Sequence, residues 1–442
     1  MSIQIRLDKM IYGDRVLGRD NGKVVFVNAG IEGELVDVQI IEEKKDYLVG
    51  NILKLHEPSS QRVLPICKHA QLCGGCQWQH IDYLAQLRFK EQVVQEQLVR
   101  IGKFKQPHIM PVIGMEHPWG YRSRSQFILK TVSDGFAMGF YQAGTRNVVD
   151  IDYCHLISKK MNEGYAVVRK VVAARLSRFH AYCAVEIKAF EDGVNIFFLT
   201  SPKFHLNLDD VSSLLKQFSV IKGVHQLVVD KNHLPVLKTY FGSAISTYSV
   251  EGLTFHVQPG SFFQVNLSQA QRLFSQSFQL LSPQKDFSIL DGHCGVGVLS
   301  LLAAKKAKNV VGVDVAASSI NDANTNARLN NIKNVHFLQN TLTQAIDRLK
   351  KPAASRGASI SFRFDSIILN PPRDGITEKR VLNFLLEIKP ARIVYISCNP
   401  TTLARDIRVL CQDNYSLVSV QPVDMFPQTY HVESVALLER LR

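Results

Sequence analysis

The stretch Ile289-Leu290-Asp291-Gly292-His293-Cys294-Gly295-Val296-Gly297 decides how the C-terminal part of the chain folds. It closes an apolar run, FSILD, on an acidic residue, turns through small residues and opens the helical stretch LSLLAAKKA. Glycines in such a turn let the backbone approach a ligand at the carboxyl end of a parallel strand. A second apolar run, VVGVDV, ends at Asp314, about twenty residues on, where a carboxylate can hold ribose hydroxyls. A full dinucleotide fingerprint would carry a third glycine where Ser300 stands. The glycines alone therefore leave the ligand open.

Working outward, residues 264–442 alternate apolar strands (FSILD, NVVGVDV, SIILN, RIVYIS) with helix-length stretches. That is the pattern of an open parallel α/β sheet. Asn370-Pro371-Pro372-Arg373 follows the third of these strands and Ser397-Cys398-Asn399-Pro400 ends the fourth. A cysteine at a strand's carboxyl edge, followed at once by polar turn residues, sits where α/β sheets place reactive groups. Cys183, Cys294 and Cys411 read instead as small buried hydrophobes. The strand-ending Asp together with Asn-Pro-Pro-Arg resembles S-adenosylmethionine-dependent methyltransferases. A Rossmann-like remnant without catalysis is the competing reading.

The chain has 442 residues, more than one core normally serves, so two or three domains are expected. Residues 3–58 read as short strands, with IQIRLDKMIYG alternating, DNGK as a hairpin turn, and KVVFV and ELVDVQIIEE following. A β-barrel of this size serves either to bind nucleic acid or as a structural cap. EPSSQRVLP reads as a linker, and Asp82 to about Lys105 as a helix with Leu84, Leu87, Val94, Leu98 and Ile101 at helical spacing. Residues 120–260 are strand-rich (SQFILKTV, NVVDIDY, VNIFFLT, GVHQLVVD), and KKPAASRGAS is a short low-complexity loop.

A composition with 46% hydrophobic and 21% charged residues excludes wholesale disorder. The apolar runs are too short for a membrane span and MSIQIRLDKM has no signal-peptide core, so a cytoplasmic protein without membrane partners is expected. The net charge of +13 points to a polyanionic partner. Residues 60–130 concentrate the excess, with ten basic against four acidic side chains. Trp78, His80, Arg88, Lys90, Tyr121, Arg122 and Arg124 there suit phosphate and base contacts, or an ordinary core and surface. Cys67-x5-Cys73-x2-Cys76, with Cys154 downstream, suits a metal site in a reducing compartment, and spacing leaves iron–sulfur and zinc equally open.

SCNPTTLARD (397–406), LNPPRDG (369–375), FFQVN (262–266) and the tail DMFPQTYHVESVALLER (424–440) resemble the RNA 5-methyluridine methyltransferase family over nearly the whole chain. The resemblance implies a multidomain fold: a TRAM β-barrel (OB-like) over 1–59, a central α+β domain with an iron–sulfur site over 60–260, and a Rossmann-like methyltransferase domain over 261–442. A helix near 82–116 is expected to pack on the catalytic domain. Residues 3–58 resemble the RNA-binding TRAM barrel, and Cys67, Cys73, Cys76 and Cys154 resemble the family's [4Fe-4S] ligands. The combination looks most like the RlmD-type branch, whose substrate is 23S ribosomal RNA; nothing in the sequence demands a protein partner or more than a monomer.

By the same resemblance Cys398 is the nucleophile that adds to uracil C6, and Glu433 is the base that removes the C5 proton. Gln264, His293, Asp314, Asn340 and Asn370 contact S-adenosylmethionine, while Phe262 and Arg373 contact the substrate. The site should lower the Cys398 pKa, because the thiolate is the reactive form. Three positions depart from the pattern: His293 stands for a common Phe, Val298 for Asn and Asn370 for Asp. Val298 is left at most a backbone or packing role. Three alternatives stay open: methylation of a different RNA uridine, an amino-group methyltransferase, which leaves Cys398 without a task, and an RNA-binding assembly factor on a methyltransferase scaffold.

Overall fold

The computed structural model describes residues 2–132, 135–174, 183–204, 207–230, 233–350 and 363–441. Most of the KKPAASRGAS loop lies outside the described residues.

Alternating apolar residues close the N-terminal segment into a barrel. Strands β1 (Ser2–Met10), β2 (Arg15–Asp20), β3 (Lys23–Asn28), β4 (Leu35–Glu43) and β5 (Tyr47–Glu57) close in the order β1-β2-β3-β5-β4. Ile5, Leu7, Val16, Val25, Val27, Val36 and Val38 point inward on alternate positions. Trp78, Ile81, Ala85 and Phe89 join this core from the segment that follows. The expected linker is bolted down rather than loose. Arg62 donates to both oxygens of the fully buried Glu34, at 2.6 and 2.7 Å, and Ser59 N–H donates to the same carboxylate.

Helix α1 (Tyr83–Arg100) starts on Asp82, whose carboxylate accepts from Leu84 N and Ala85 N. It stops a little before the Lys105 expected from the pattern, and well short of the helix near 82–116 expected to pack on the catalytic domain. Gly102 follows it, Lys103 takes φ +61° and Pro107 and Pro111 cannot continue a helix. The extended chain beyond instead lines the edge of the C-terminal sheet, with Met110 N–H donating to Val420 O at 2.9 Å. Val94 and Leu98 of α1 belong to the C-terminal core itself.

The central sheet runs in the order β12-β11-β10-β9-β6-β7-β8, from β6 (Arg124–Val132), β7 (Gly135–Tyr141), β8 (Val148–Asp150), β9 (Cys183–Ala189), β10 (Val194–Thr200), β11 (Ile221–Asp230) and β12 (His233–Phe241). Helices α2 (Lys159–Ala173) and α3 (Leu208–Leu215) cover it. A hairpin, β13 (Ser246–Val250) and β14 (Leu253–Val257), leads to α4 (Leu267–Leu281).

The C-terminal sheet runs β17-β16-β15-β18-β19-β21-β20. Its parallel strands are β15 (Ser288–Gly292), β16 (Asn309–Asp314), β17 (Val335–Gln339), β18 (Ser366–Leu369) and β19 (Arg392–Ser397). They are linked by α5 (Val298–Ala304), α6 (Ala317–Leu329), α7 (Leu342–Lys350), α8 (Lys379–Ile388) and α9 (Pro400–Leu410). The sheet is not wholly parallel, as the pattern predicts. β20 (Tyr415–Val423) and β21 (Glu433–Arg440) pair antiparallel, because a short loop without a crossover helix joins them.

Candidate active site

The carboxyl ends of five parallel strands open onto one cavity of about 680 Å³. Phe262, Gln264, His293, Asp314, Asn340, Asn370, Cys398 and Glu433 all line it. Strand ends supply most of them, as the topology of an open α/β sheet requires. Asp314 ends β16 and is fixed by two backbone donors, Gly295 N at 3.0 Å and Ala316 N at 2.9 Å. The turn between β15 and α5 carries three positive φ angles, at His293 (+66°), Gly295 (+55°) and Gly297 (+89°). It thereby turns its backbone toward the cavity. A side chain at Gly297 would press on Phe337 and Ala323 at 3.0 and 3.2 Å, so that glycine also permits close packing. Val298 is buried, packs in the core and also lines the cavity.

Phe262 stands at the mouth with 65% of its surface exposed. Cys398 and Glu433 lie deeper. Glu433 is buried at the start of β21, and burial pushes its carboxyl up to about 7. Burial and the nearby Glu433 push the Cys398 thiol up to about 11, opposite to the expected direction. Desolvation of the anion outweighs the opposing charge of Arg373 in the open cavity. Two features favour the thiolate: Arg373, and the N-terminus of α9, which begins just past Cys398 with Asn399 accepting from Thr401 N at 3.0 Å. Arg373 does not line the cavity wall. Its charge acts on the hydroxyls of Tyr12 and Tyr430.

Further polar groups meet here. Asp291 Oδ1 and His293 Nδ1 are buried without partners, while Ser300 donates to Asp291 Oδ2 at 2.6 Å. Asp291 is visible in the sequence as the strand-ending acid. Tyr12, in the barrel, carries no sequence signal that ties it to Cys398. The loop before Glu433 is pinned by α1: Lys90 pairs with Asp424 at 2.5 Å with both side chains fully buried, and Gln86 donates to Gln428 Oε1 at 3.0 Å.

That pinning corrects the basic surface expected over 60–130. Trp78 and Lys90 are buried, Arg124 is paired with Glu186 at 2.6 Å, and the Tyr121 hydroxyl donates to Pro427 O. Arg88 is exposed.

A second, much smaller cavity of about 60 Å³ is lined by Cys67, Cys73, Cys76 and Cys154. Burial raises the last three thiols, Cys76 to about 12. Among the described residues no three His, Cys, Asp or Glu side chains stand close enough to share one metal ion. A single zinc would draw all four sulfurs to about 2.3 Å of one point. An iron–sulfur cubane gives each thiolate its own iron and keeps the sulfurs further apart. Arg122 faces Cys76 and Cys154, with a buried Nε that has no partner.

The family model for tRNA (Uracil-5-)-methyltransferase matches residues 82–441. The chain belongs to that family. An uncharacterized RNA methyltransferase of Caldanaerobacter subterraneus subsp. tengcongensis is 34% identical over 99% of this chain and 98% of its own length. Another, from Halalkalibacterium halodurans, is 32% identical over 99% of this chain and 96% of its own. The tRNA (uracil-54, C5)-methyltransferase of Pyrococcus abyssi, solved with S-adenosyl-L-homocysteine, superposes with a TM-score of 0.75 at 27% identity, covering 99% of this chain and 100% of that one. As a uracil-5-methyltransferase family member, the chain is an S-adenosylmethionine-dependent RNA uracil-C5 methyltransferase by reaction class. The amino-group alternative falls away. No helix of the described residues is long and apolar enough to cross a membrane.

Proposed function

We propose that this protein methylates C5 of a specific uridine in 23S ribosomal RNA, with Cys398 as nucleophile and Glu433 as base. The observation that carries the reading is the placing of a thiol and a buried carboxyl on the wall of one cavity that also holds Asp314, Asn340 and Asn370.

Uracil C5 is too weak a nucleophile to take a methyl group unaided. The Cys398 sulfur adds to C6 and pushes the electron pair toward C5. S-adenosylmethionine, when bound, supplies the methyl group from its sulfonium. Glu433, with a carboxyl near neutral range, then takes the C5 proton, and the electrons left behind expel the Cys398 thiolate. Asp314 holds the ribose hydroxyls, Gln264, His293, Asn340 and Asn370 complete the donor contacts, and Phe262 stacks on the flipped base at the mouth. Arg373 offsets the charge of the thiolate and of the RNA backbone.

In this reading residues 1–59 are a TRAM-type RNA-binding barrel, 60–260 the central domain and 261–442 the catalytic domain. Cys67, Cys73, Cys76 and Cys154 would hold a [4Fe-4S] cluster that braces the RNA-facing surface and takes no part in the reaction. The protein works in the cytoplasm as a monomer. A second substrate, tRNA, has the support of the Pyrococcus abyssi enzyme's own activity.

The test uses anaerobically purified protein, labelled S-adenosylmethionine, and either 23S rRNA lacking its 5-methyluridines or unmodified tRNA. Labelled 5-methyluridine in one 23S fragment is the expected result. Label in tRNA alone moves the substrate, and bound RNA with no label in either favours an assembly factor.

A further inference from the structure

Helix α6 does for one edge of the hairpin what a neighbouring strand would do. Asp322, Asn326 and the C-capping Asn330 are spaced four residues apart and so stand along one face of the helix. Asp322 Oδ2 accepts from Gln258 N at 3.0 Å, Asn326 Oδ1 from His256 N at 2.7 Å and Asn330 Oδ1 from Thr254 N at 2.9 Å. The periods match: four helical residues rise about 6 Å and two strand residues about 6.6 Å, so each helix turn meets the next N–H on that edge of β14. The other edge of β14 pairs with β13.

Asn326 does one thing more. Its Nδ2 donates to Val296 O at 3.1 Å, in the turn between β15 and α5 that carries the three positive φ angles. A backbone N–H can only donate and a carbonyl can only accept, so the carboxamide has one orientation here. The side chain is fully buried. Asp314 holds the same turn at the next residue, through Gly295 N at 3.0 Å. The hairpin passes the constraint on: Tyr248, opposite Phe255 in the β13–β14 ladder, stacks on Phe263 with ring centroids 4.2 Å apart and planes 4° from parallel. Phe262, Phe263 and Gln264 line the large cavity, as do His293, Gly295 and Val296. One buried carboxamide therefore joins the two segments that supply those residues.

We infer that Asn326 is a positioning residue for S-adenosylmethionine: it keeps the glycine turn and the Phe262–Gln264 segment at one spacing, so that both grip the donor. This role rests on the reading of the large cavity as the donor site. Asn330 shows what a purely structural side chain looks like here, since its carboxamide bonds to Thr254 N, Thr254 O and Asn326 O, within hairpin and helix.

Binding of S-adenosyl-L-homocysteine to the full-length protein, measured by titration calorimetry without RNA, reads the donor site apart from catalysis. Melting temperatures of the same samples report the fold. Asn326→Ala removes both bonds and keeps a strong helix former in α6. Its dissociation constant is expected to rise about tenfold. Asn326→Asp at about pH 8 still accepts from His256 N, but a carboxylate has no hydrogen to give Val296 O, so binding should weaken to a similar degree. Being nearly isosteric, it also keeps the test open if the alanine variant does not fold. Asn330→Ala should lower the melting temperature and leave the affinity within about twofold of the wild type.

Wild-type affinity in either Asn326 variant overturns the inference. So does equal weakening in Asn330→Ala, which would make the effect one of stability alone. Asp314→Ala tells the two readings apart. If it weakens binding while the Asn326 variants do not, the donor site stands and the role of Asn326 fails. If Asp314→Ala and the Asn326 variants all bind like the wild type, the donor is held elsewhere and the reading of the cavity fails with it.

Discussion

Two thiol-lined cavities in this chain differ in what surrounds the sulfur. The larger, of about 680 Å³, is lined by the buried Cys294 and by Cys398, which faces a carboxyl with a guanidinium and a helix N-terminus close by. The smaller, of about 60 Å³, holds four cysteines and one buried guanidinium. Burial raises the thiols in both, so burial alone tells nothing about role. The arrangement around them does. A thiol with room beside it and a carboxyl across from it can attack a substrate and be released. Four thiols around a space that excludes a substrate can ionise only if cations enter with them. In the proposed reading the first cavity serves turnover and the second a permanent guest.

The sharpest way to break that contrast is to remove one sulfur from each cavity. Cys398→Ala should abolish methyl transfer, by roughly 10⁴-fold or more in single turnover, with iron content unchanged. Cys76→Ala should do the reverse, losing bound iron and sulfide. Its thermal stability should drop and its half-saturating RNA concentration rise, while the single-turnover rate at saturating RNA holds. Iron and sulfide analysis beside a labelled-donor assay distinguishes the two. A Cys76→Ala protein that keeps RNA affinity but loses the chemical step would place the second cavity in the reaction and erase the contrast.

Glu433→Gln probes the larger cavity at the other end of the reaction. Addition of Cys398 and methyl transfer do not need the base, whereas release does. The variant should accumulate a covalent protein–RNA adduct carrying the new methyl group, visible on a denaturing gel, with steady-state turnover down about 10²- to 10⁴-fold. Turnover at the wild-type rate without adduct would assign the proton to another group, and Asp291, pushed by burial up to about 7 on the same wall, would be the first to examine.

The two cavities were also unequally legible in the sequence. The larger one could be read because parallel strands are nearly continuous apolar runs whose ends fall on Asp314, Asn370 and Cys398, and topology gathers strand ends at one edge. Glu433 is different: β21 runs antiparallel, so its first residue, not its last, reaches that edge, and only the likeness of its motif pointed to it. The four cysteines were visible as a count and a spacing, but nothing in the sequence brings Cys154 beside Cys76. The basic stretch after residue 60 misled, since Lys90 and Arg124 find Asp424 and Glu186 from far along the chain and become internal ties. Tyr12 could not be read at all. Its partner Cys398 lies 386 residues away, and no periodicity spans that distance. The direction of the Cys398 shift was misjudged for a related reason: ionisation depends on how deeply the folded chain hides the sulfur.

The smallest expected effect concerns stability, and it too separates the cavities. Glu433 titrates near 4.5 in an unfolded chain and near 7 when folded, because burial disfavours its charge. The folded state therefore holds an extra proton between those values, and this group's contribution to stability declines as pH rises through that window. Below about pH 4.5 the penalty is absent; above about pH 7 it is complete, at most about 3 kcal/mol for a shift of this size. Glutamine carries no such penalty. Glu433→Gln should thus melt at about the wild-type temperature at pH 5 and several degrees above it at pH 8, the extra stability being what the wild type forgoes to keep a base beside the bound uracil. Cys76→Ala should show no such widening gap, since its loss comes from the missing cluster at either pH. Melting curves of the three proteins at the two pH values decide the matter. A Glu433→Gln gap of equal size at pH 5 and pH 8 would mean that the carboxyl is already ionised in the fold, and that the proton from C5 must find a stronger base.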